Sequence, residues 1–349
     1  NIISIHIKIN NLGGSGMEFI NLIPNICEGL PFEKGDLVLL NFWGDNEDIE
    51  ILELISENLS KKGVISFRHQ CSKRFFEKIV LNFIRNKNHI SKEYFEFLSS
   101  FKNVVDIFMY PPSLPEGILE EEIPMFRKNI GELFDALASN KKYYIQLNVP
   151  TEANASRAGI EYEIYRHSLL NALAVDYKEL KETCRDKIER IKEAKSIEIF
   201  TGEEYSLKLD ISGRDWYADD GCGDFPSGEV YIAPIESGSN GDLFVPQIIF
   251  NGQIFKNVHM TFREGRLVKC SAEPLEKFLF SLPDNHRILC EFGIGLNPRI
   301  KEFTGYSLFD EKALGTYHIA LGMNSLFGGK NECRFHMDLV FSSEKVIFK

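Results

Sequence analysis

Apolar and polar positions change rhythm partway along the chain. Up to about residue 150, short apolar runs alternate with longer amphipathic ones. Residues 36–42, 64–67, 104–109 and 143–147 read as strands, while 47–62, 72–84 and 118–138 carry apolar residues at helical spacing. Strands interleaved with helices predict βαβ units and a mainly parallel sheet. A charged helical stretch over 159–194 follows, with apolar residues at mixed spacings of three and four. Beyond it the pattern becomes a succession of short segments bounded by turns, at 196–200, 205–211, 230–233, 247–250 and 258–262. That pattern predicts a second, strand-rich domain.

At 349 residues the chain exceeds what one core usually serves, so two domains are expected. The predicted class is α/β: an N-terminal parallel-sheet domain over 1–158 and a strand-rich α+β domain, carrying a metal site, over 159–349. The 51 acidic residues against 40 basic ones give a net charge of −11. This opposes binding to nucleic acid or to an anionic membrane, since both need a basic surface. Seven cysteines, an odd number without CxxC pairs, fit neither a disulfide framework nor a zinc knuckle, and predict a cytoplasmic protein. No apolar run reaches the length of a membrane span, and the first residues lack a signal-peptide pattern. The chain begins without Met, so some leading residues are expected to precede Asn1.

Candidate chemistry is concentrated near the C-terminus. In residues 334–341 strict alternation places His336 and Asp338 on one face and Phe335, Met337, Leu339 and Phe341 on the other. In residues 287–295 the same test sets Glu291 opposite Ile288, Cys290, Phe292 and Ile294. His318 lies in the apolar run 315–322, an expensive place for an unpartnered imidazole. Each of these residues alone reads as readily as a core or surface residue. Together with Glu229, which follows Gly228, they predict a metal site. His6, His69, His89, His167, His259 and His286 sit in isolation and are expected to be core or surface residues, with His259 and His286 the two to watch. Gly13-Gly14-Ser15-Gly16 has neither P-loop nor dinucleotide-site order and predicts a flexible helix-start loop. HExxH, GxSxG and kinase motifs are absent from the sequence. Asp219, Asp220 and Asp224 are expected to be turn residues.

The C-terminal motifs resemble the aminopeptidase T / aminopeptidase S family of metal-dependent aminopeptidases. The resemblance rests on Ser227-Gly228-Glu229-Val230 with Ala233-Pro234, on residues 291–298, on Asp310-Glu311-Lys312 with residues 315–322, and on His336-Met337-Asp338. It implies a Rossmann-like first domain, a homodimer and an enzyme that releases N-terminal residues from small peptides or hydrolyses a related amide. It further implies that Glu229, Glu291, His318, His336 and Asp338 bind two divalent ions (Zn, Co, Mn or Mg), with Glu291 bridging and Glu229 and Glu291 also serving catalysis. Asp310, Glu311, Lys312, Tyr317 and Ser325 are candidates for substrate contact or ligand support. One departure is visible: the family's peptidases carry a tyrosine seven residues after the first metal histidine, and Ser325 stands there, with Tyr317 or Tyr306 as possible substitutes. Two other readings stay open. His318, His336 and Asp338 form a two-His, one-carboxylate set suited to Fe(II), as in ring-cleaving dioxygenases acting on dihydroxypyridines, which act on small molecules. A non-catalytic binding protein on the same fold is the third.

Overall fold

The computed structural model describes residues 14–86, 90–202, 204–250, 253–343 and 345–349. Its chain divides into two compact units, one comprising the chain up to Ala174 together with Gly221–Phe225, the other Val175–Asp220 and Pro226–Lys349.

The first unit alternates helix and strand as its apolar rhythm requires: α1 (Gly14–Gly29), β1 (Leu37–Trp43), α2 (Ile49–Lys61), β2 (Ile65–Gln70), α3 (Leu81–Arg85), α4 (Lys92–Ser100), β3 (Asn103–Phe108), α5 (Ile123–Ala138), β4 (Tyr143–Asn148), α6 (Glu152–Ala158) and α7 (Tyr162–Leu173). α1 begins at Gly14, so the Gly13–Gly16 run enters a helix, with Gly13 outside the described residues. The helix expected over 72–84 is in part a π-helical turn, Phe75–Val80, running into α3. β3 is buried along its whole length, the mark of a parallel strand covered on both faces.

In the second unit α8 (Tyr177–Ile191) starts at an Asp176 cap that accepts from the backbone N–H groups of Lys178 and Glu179. There follow β5 (Ser196–Thr201), β6 (Tyr205–Asp210) and β7 (Trp216–Asp219); the chain then returns to the first unit for β8 (Asp224–Phe225), and the second unit resumes with β9 (Glu229–Ile232), β10 (Asn240–Phe250), β11 (Gln253–Arg263), β12 (Arg266–Cys270), α9 (Glu273–Ser281), β13 (Leu289–Gly295), α10 (Ser307–Asp310), β14 (Tyr317–Gly322), β15 (His336–Phe341) and β16 (Lys345–Phe348). One sheet has the order β12-β11-β10-β6-β5-β16 and another β15-β14-β13-β9-β7, every pair antiparallel. β10 and β11 form one long hairpin, of which only residues 247–250 and 258–262 are legible as strands in the sequence.

β8 belongs to neither of these sheets. It joins the parallel sheet of the first unit beside β4, giving the order β2-β1-β3-β4-β8, the doubly wound order of flavodoxin-like folds. Asp224, expected in a turn, is therefore a strand residue. At one level of this sheet His69, Asn41, Asp106, Gln146 and Asp224 form a polar row across all five strands. Asn41 donates to Asp106 Oδ1 at 2.6 Å, and Trp43 Nε1 and the Tyr144 hydroxyl donate to the same carboxyl group at 2.5 and 2.9 Å. Asn41 Oδ1 is thereby left to accept from His69 Nδ1 at 2.6 Å, and His69 Nε2 accepts from the Tyr94 hydroxyl at 2.9 Å. This arrangement suits a neutral imidazole, and burial lowers the His69 pKa to about 4.

Because the depressed pKa lies below the unfolded value, the unfolded chain binds a proton that the native state refuses. Stability is therefore expected to fall as pH drops from about 6.5 towards 4, by roughly 2–3 kcal/mol from His69 alone. Asp106, pushed up to about 6 by burial, acts in the opposite sense over the lower part of that range. The check is urea unfolding of wild type and His69→Gln at both ends of the window: the difference between them should shrink on acidification, and a constant difference would contradict the assignment.

Candidate metal centre

The cluster is built on consecutive strands of the β15-β14-β13-β9-β7 sheet. Register pairs Glu229 with Gly295, Gly293 with His318, Glu291 with Ala320, and Ala320 with Asp338. Glu229, Glu291, His318, His336 and Asp338 consequently project from one face. The opposite face carries Val230, Ile232, Phe292, Ile294, Ile319, Leu321 and Leu339, all buried. The alternation in the sequence thus places polar ligands and core on opposite sides of the same strands.

Glu291 occupies the centre. Its Oε1 lies 3.2 Å from His318 Nε2, and its Oε2 lies 3.5 Å from His336 Nε2. Glu229 Oε2 is 3.4 Å from His318 Nε2, and Asp338 Oδ1 is 3.2 Å from His336 Nε2. Two groups of donors result, Glu229–Glu291–His318 and Glu291–His336–Asp338, each with its atoms within 4.8 Å of one another and with Glu291 common to both. Glu229, Glu291 and His318 are buried, whereas His336, on the edge strand, is open to solvent.

Two local features of β13 make this geometry possible. A Cβ at Gly293 would fall 2.1 Å from Cε1 and Nε2 of His318, so only glycine lets the imidazole lie across the strand. A bulge between Leu289 and Glu291 also disturbs the alternation. Cys290, expected on the apolar face, instead places its sulfur 3.8 Å from His336 Nδ1, which also faces Met323 O at 3.1 Å. A strict period of two cannot anticipate a bulge.

Further charges lie behind the cluster. Lys312, fully buried, donates to Glu229 Oε1 at 2.8 Å and Glu311 Oε1 at 2.9 Å, and lies 3.6 Å from Asp219 Oδ2. Glu311 and Lys312 are therefore internal to the charge cluster, and Asp219, expected in a turn, ends β7 beside them. Burial raises the Glu311 carboxyl well above its usual range, with the Lys312 charge opposing and those of Asp338 and Glu229 adding to the shift. For His318 burial acts downward, but the hydrogen bond it donates to Glu291 and the charges of Glu229 and Glu311 win and bring it to about 9. Burial likewise opposes a charged His336, yet Asp338 raises it well above 6.5, and His336 in turn holds Asp338 at about 2. Protons gather on the imidazoles because the carboxylates around them demand positive charge.

Other candidates are placed elsewhere. Asp310 is turned away, accepting from Thr304 N, Thr304 Oγ1 and Gly305 N at 2.9, 3.1 and 2.7 Å. Tyr317, one residue from His318, falls on the apolar face, stacked on Phe292 and Phe341. Tyr306 packs edge-on against Phe309. Ser325 is exposed in a short 3-10 turn, Ser325–Phe327. His286 packs on Phe335 and His259 on Tyr205 and Phe244, while His6 and His89 lie outside the described residues. The residue missed by sequence reasoning is Tyr231. It stands two positions after Glu229, on the cluster's face, between Tyr217 and Phe327, whose ring also meets His336. Burial first, then the charges of Glu291, Asp219 and Glu229, raise its phenol above the usual value and keep it protonated. Period-two counting from Glu229 would have found it.

A doubly wound sheet in one unit and a carboxylate–imidazole cluster on an antiparallel sheet in the other define a metalloenzyme class. The family described as thermophilic metalloprotease (M29) matches residues 22–347, and the chain belongs to it. This bears out the resemblance to the aminopeptidase T / aminopeptidase S family, and with it a hydrolytic, metal-dependent aminopeptidase. Among solved structures, wild-type AmpT from Thermus thermophilus is similar at a TM-score of 0.63, with 18% identity over 94% of each chain. No curated protein matches the sequence. No helix among the described residues is long and apolar enough to cross a membrane.

Two substitutions test the packing of the site in chelator-treated protein. Gly293→Ala is expected to push the His318 ring aside at a cost of about 1–3 kcal/mol. Lys312→Met, which strips a buried cation from its carboxylates, should cost about 3–5 kcal/mol. Denaturant unfolding measures both, and unchanged midpoints would remove the packing and charge arguments respectively.

Proposed function

We propose that this chain removes N-terminal residues from peptides using two divalent ions, held by Glu229, Glu291 and His318 on one side and by Glu291, His336 and Asp338 on the other. The observation that carries this reading is the placement of Glu291, whose two oxygens face different histidines. The donor set fits the group: Glu229 Oε2 is buried without a hydrogen-bond partner, and carboxylate with imidazole suits divalent cations. Buried polar atoms seldom remain unpaired unless something else satisfies them.

When bound, such ions polarise a scissile carbonyl and lower the pKa of water towards neutrality. The chain's own residues do the rest. Glu291 fixes the spacing of the two donor groups. Lys312 ties down Glu229 Oε1, which leaves Oε2 as the oxygen that can hold an ion. His336, at the open edge, marks the side from which substrate enters.

A mononuclear Fe(II) site on His318, His336 and Asp338 would leave Glu229 and half of Glu291 without a cation, and family membership gives ring cleavage no support. The homodimer rests on the family resemblance, and light scattering showing a single chain mass would count against it. A reducing, cytoplasmic home is supported by seven free thiols.

Elemental analysis of protein purified without added metal tests the metal count. About two equivalents of a divalent metal per chain are expected in wild type, about one in Asp338→Asn, and almost none in Glu291→Ala. Hydrolysis of aminoacyl substrates should vanish in Glu291→Ala and on chelation, and return to wild type when metal is restored. One equivalent of iron, or full activity in Glu291→Ala, would overturn the reading.

A further inference from the structure

Tyr231 leaves β9 on the cluster's face two residues beyond Glu229, and the register fixes what stands beside it. Gly293 of β13 lies directly across from Tyr231, and His318 of β14 directly across from Gly293, so the three form one row over the sheet. The middle position carries no side chain, and the His318 ring leans into it. Its Nε2, the atom that faces Glu229 and Glu291, lies 2.1 Å from where a Gly293 Cβ would be. Opposed Cβ positions on neighbouring strands are ~4.5–5.5 Å apart. The Tyr231 side chain is therefore rooted one strand's spacing from that imidazole.

The ring is clamped from two sides. Tyr217, its neighbour in the same row on β7, stacks on it with centroids 5.8 Å apart, and Phe327 meets it edge-on at 5.4 Å. The turn that carries Phe327 is itself tied down. Asn324 Oδ1 accepts from Asn331 N at 2.8 Å, Asn324 Nδ2 donates to Glu236 Oε1 at 3.1 Å, and Arg214 donates to Glu236 Oε2 at 2.7 Å. Packing thus sets the direction of the phenol, while among the described residues its hydroxyl has no hydrogen-bond partner. The other donors of the cluster are committed: Lys312 Nζ to Glu229 and Glu311, and the two imidazoles to the carboxylates they face. Burial and the charges of Glu291, Asp219 and Glu229 keep the phenol protonated, so it can donate but serves neither as a base nor as an anionic ligand.

We infer that Tyr231 is a catalytic residue whose hydroxyl donates a hydrogen bond to the oxygen of the scissile carbonyl and binds it more tightly as that oxygen becomes an oxyanion. The inference rests on the aminopeptidase reading above. In amide hydrolysis negative charge gathers on the carbonyl oxygen, and a donor fixed in advance stabilises that charge more than it stabilises the neutral carbonyl. A site walled by carboxylates needs such a donor, because its other side chains repel the developing charge. No bond to the phenol forms or breaks, and its proton stays on oxygen throughout.

The test is Tyr231→Phe, which keeps the ring and both of its aromatic contacts and removes only the hydroxyl. Metal content should equal that of wild type. Loss of one oxyanion donor costs kcat about 100- to 1,000-fold, so kcat on leucine p-nitroanilide is expected to fall by that factor while KM changes by no more than about twofold. Affinity for a phosphinic analogue of a dipeptide, whose tetrahedral centre carries the charged oxygen, should fall about 100-fold in calorimetry. A kcat within about twofold of wild type assigns Tyr231 to packing alone and overturns the inference. So does a rise in KM at constant kcat, which would make the hydroxyl a ground-state contact, and so does loss of metal, which would make it a support for the ligands. If wild type cleaves no aminoacyl substrate yet binds the phosphinic analogue about 100-fold more tightly than Tyr231→Phe does, the donor role stands and the aminopeptidase reading fails. Equal binding of the analogue by the two proteins, or no binding by wild type, overturns the donor role.

Discussion

Burying several carboxylates on one face of a sheet is tolerable only if positive charge is buried with them. Glu229, Glu291, Glu311, Asp219 and Asp338 converge on a small volume, and Lys312 supplies one permanent cation against them. The remaining positive charge falls to His318 and His336, whose raised pKa values are the proton's answer to the same demand. A site that gathers protons onto its ligands in this way is a site poised to exchange them for metal, since ligation requires neutral imidazole and ionised carboxylate. The sheet, the buried lysine and the glycines of β13 all serve that one electrostatic requirement.

The backbone meets the requirement through omission as much as through side chains. β13 alternates Glu291, Gly293 and Gly295 on the cluster's face, so the strand that carries the central carboxylate leaves room on either side of it. His318 fills the gap at Gly293. At Gly295 a Cβ would strike Ala313 O at 2.1 Å and Thr316 Oγ1 at 2.4 Å, so the absent side chain admits the loop that delivers Glu311 and Lys312. The bulge at Cys290 then adjusts the edge of the site, bringing a thiol against His336. β15, which supplies His336 and Asp338, is an edge strand of its sheet, so the centre grades from fully buried at His318 to open at His336.

The sequence by itself determined a good deal. The change from interleaved strands and helices to turn-bounded strands marks a parallel sheet followed by antiparallel ones, because a strand covered on both faces reads as a continuous apolar run and one covered on a single face alternates. The same alternation turned His336, Asp338 and Glu291 away from the core, and local motifs around Glu229, His318 and Asp310–Lys312 carried the family. Tertiary structure alone decided the rest, because the deciding contacts join residues far apart in the chain. Lys312 reads only as a candidate for substrate contact or ligand support, beside Asp310 and Glu311, until Glu229, 83 positions away, is seen to hold it. Asp224 reads as a turn until β4 pairs with its strand. Tyr306 and Tyr317 stand out in the sequence as substitute hydroxyls, and the fold packs one against Phe309 and the other between Phe292 and Phe341. That Glu291 spans two histidines depends on three strands meeting in one register, and pairing between distant segments is a property of the folded sheet that no local pattern encodes.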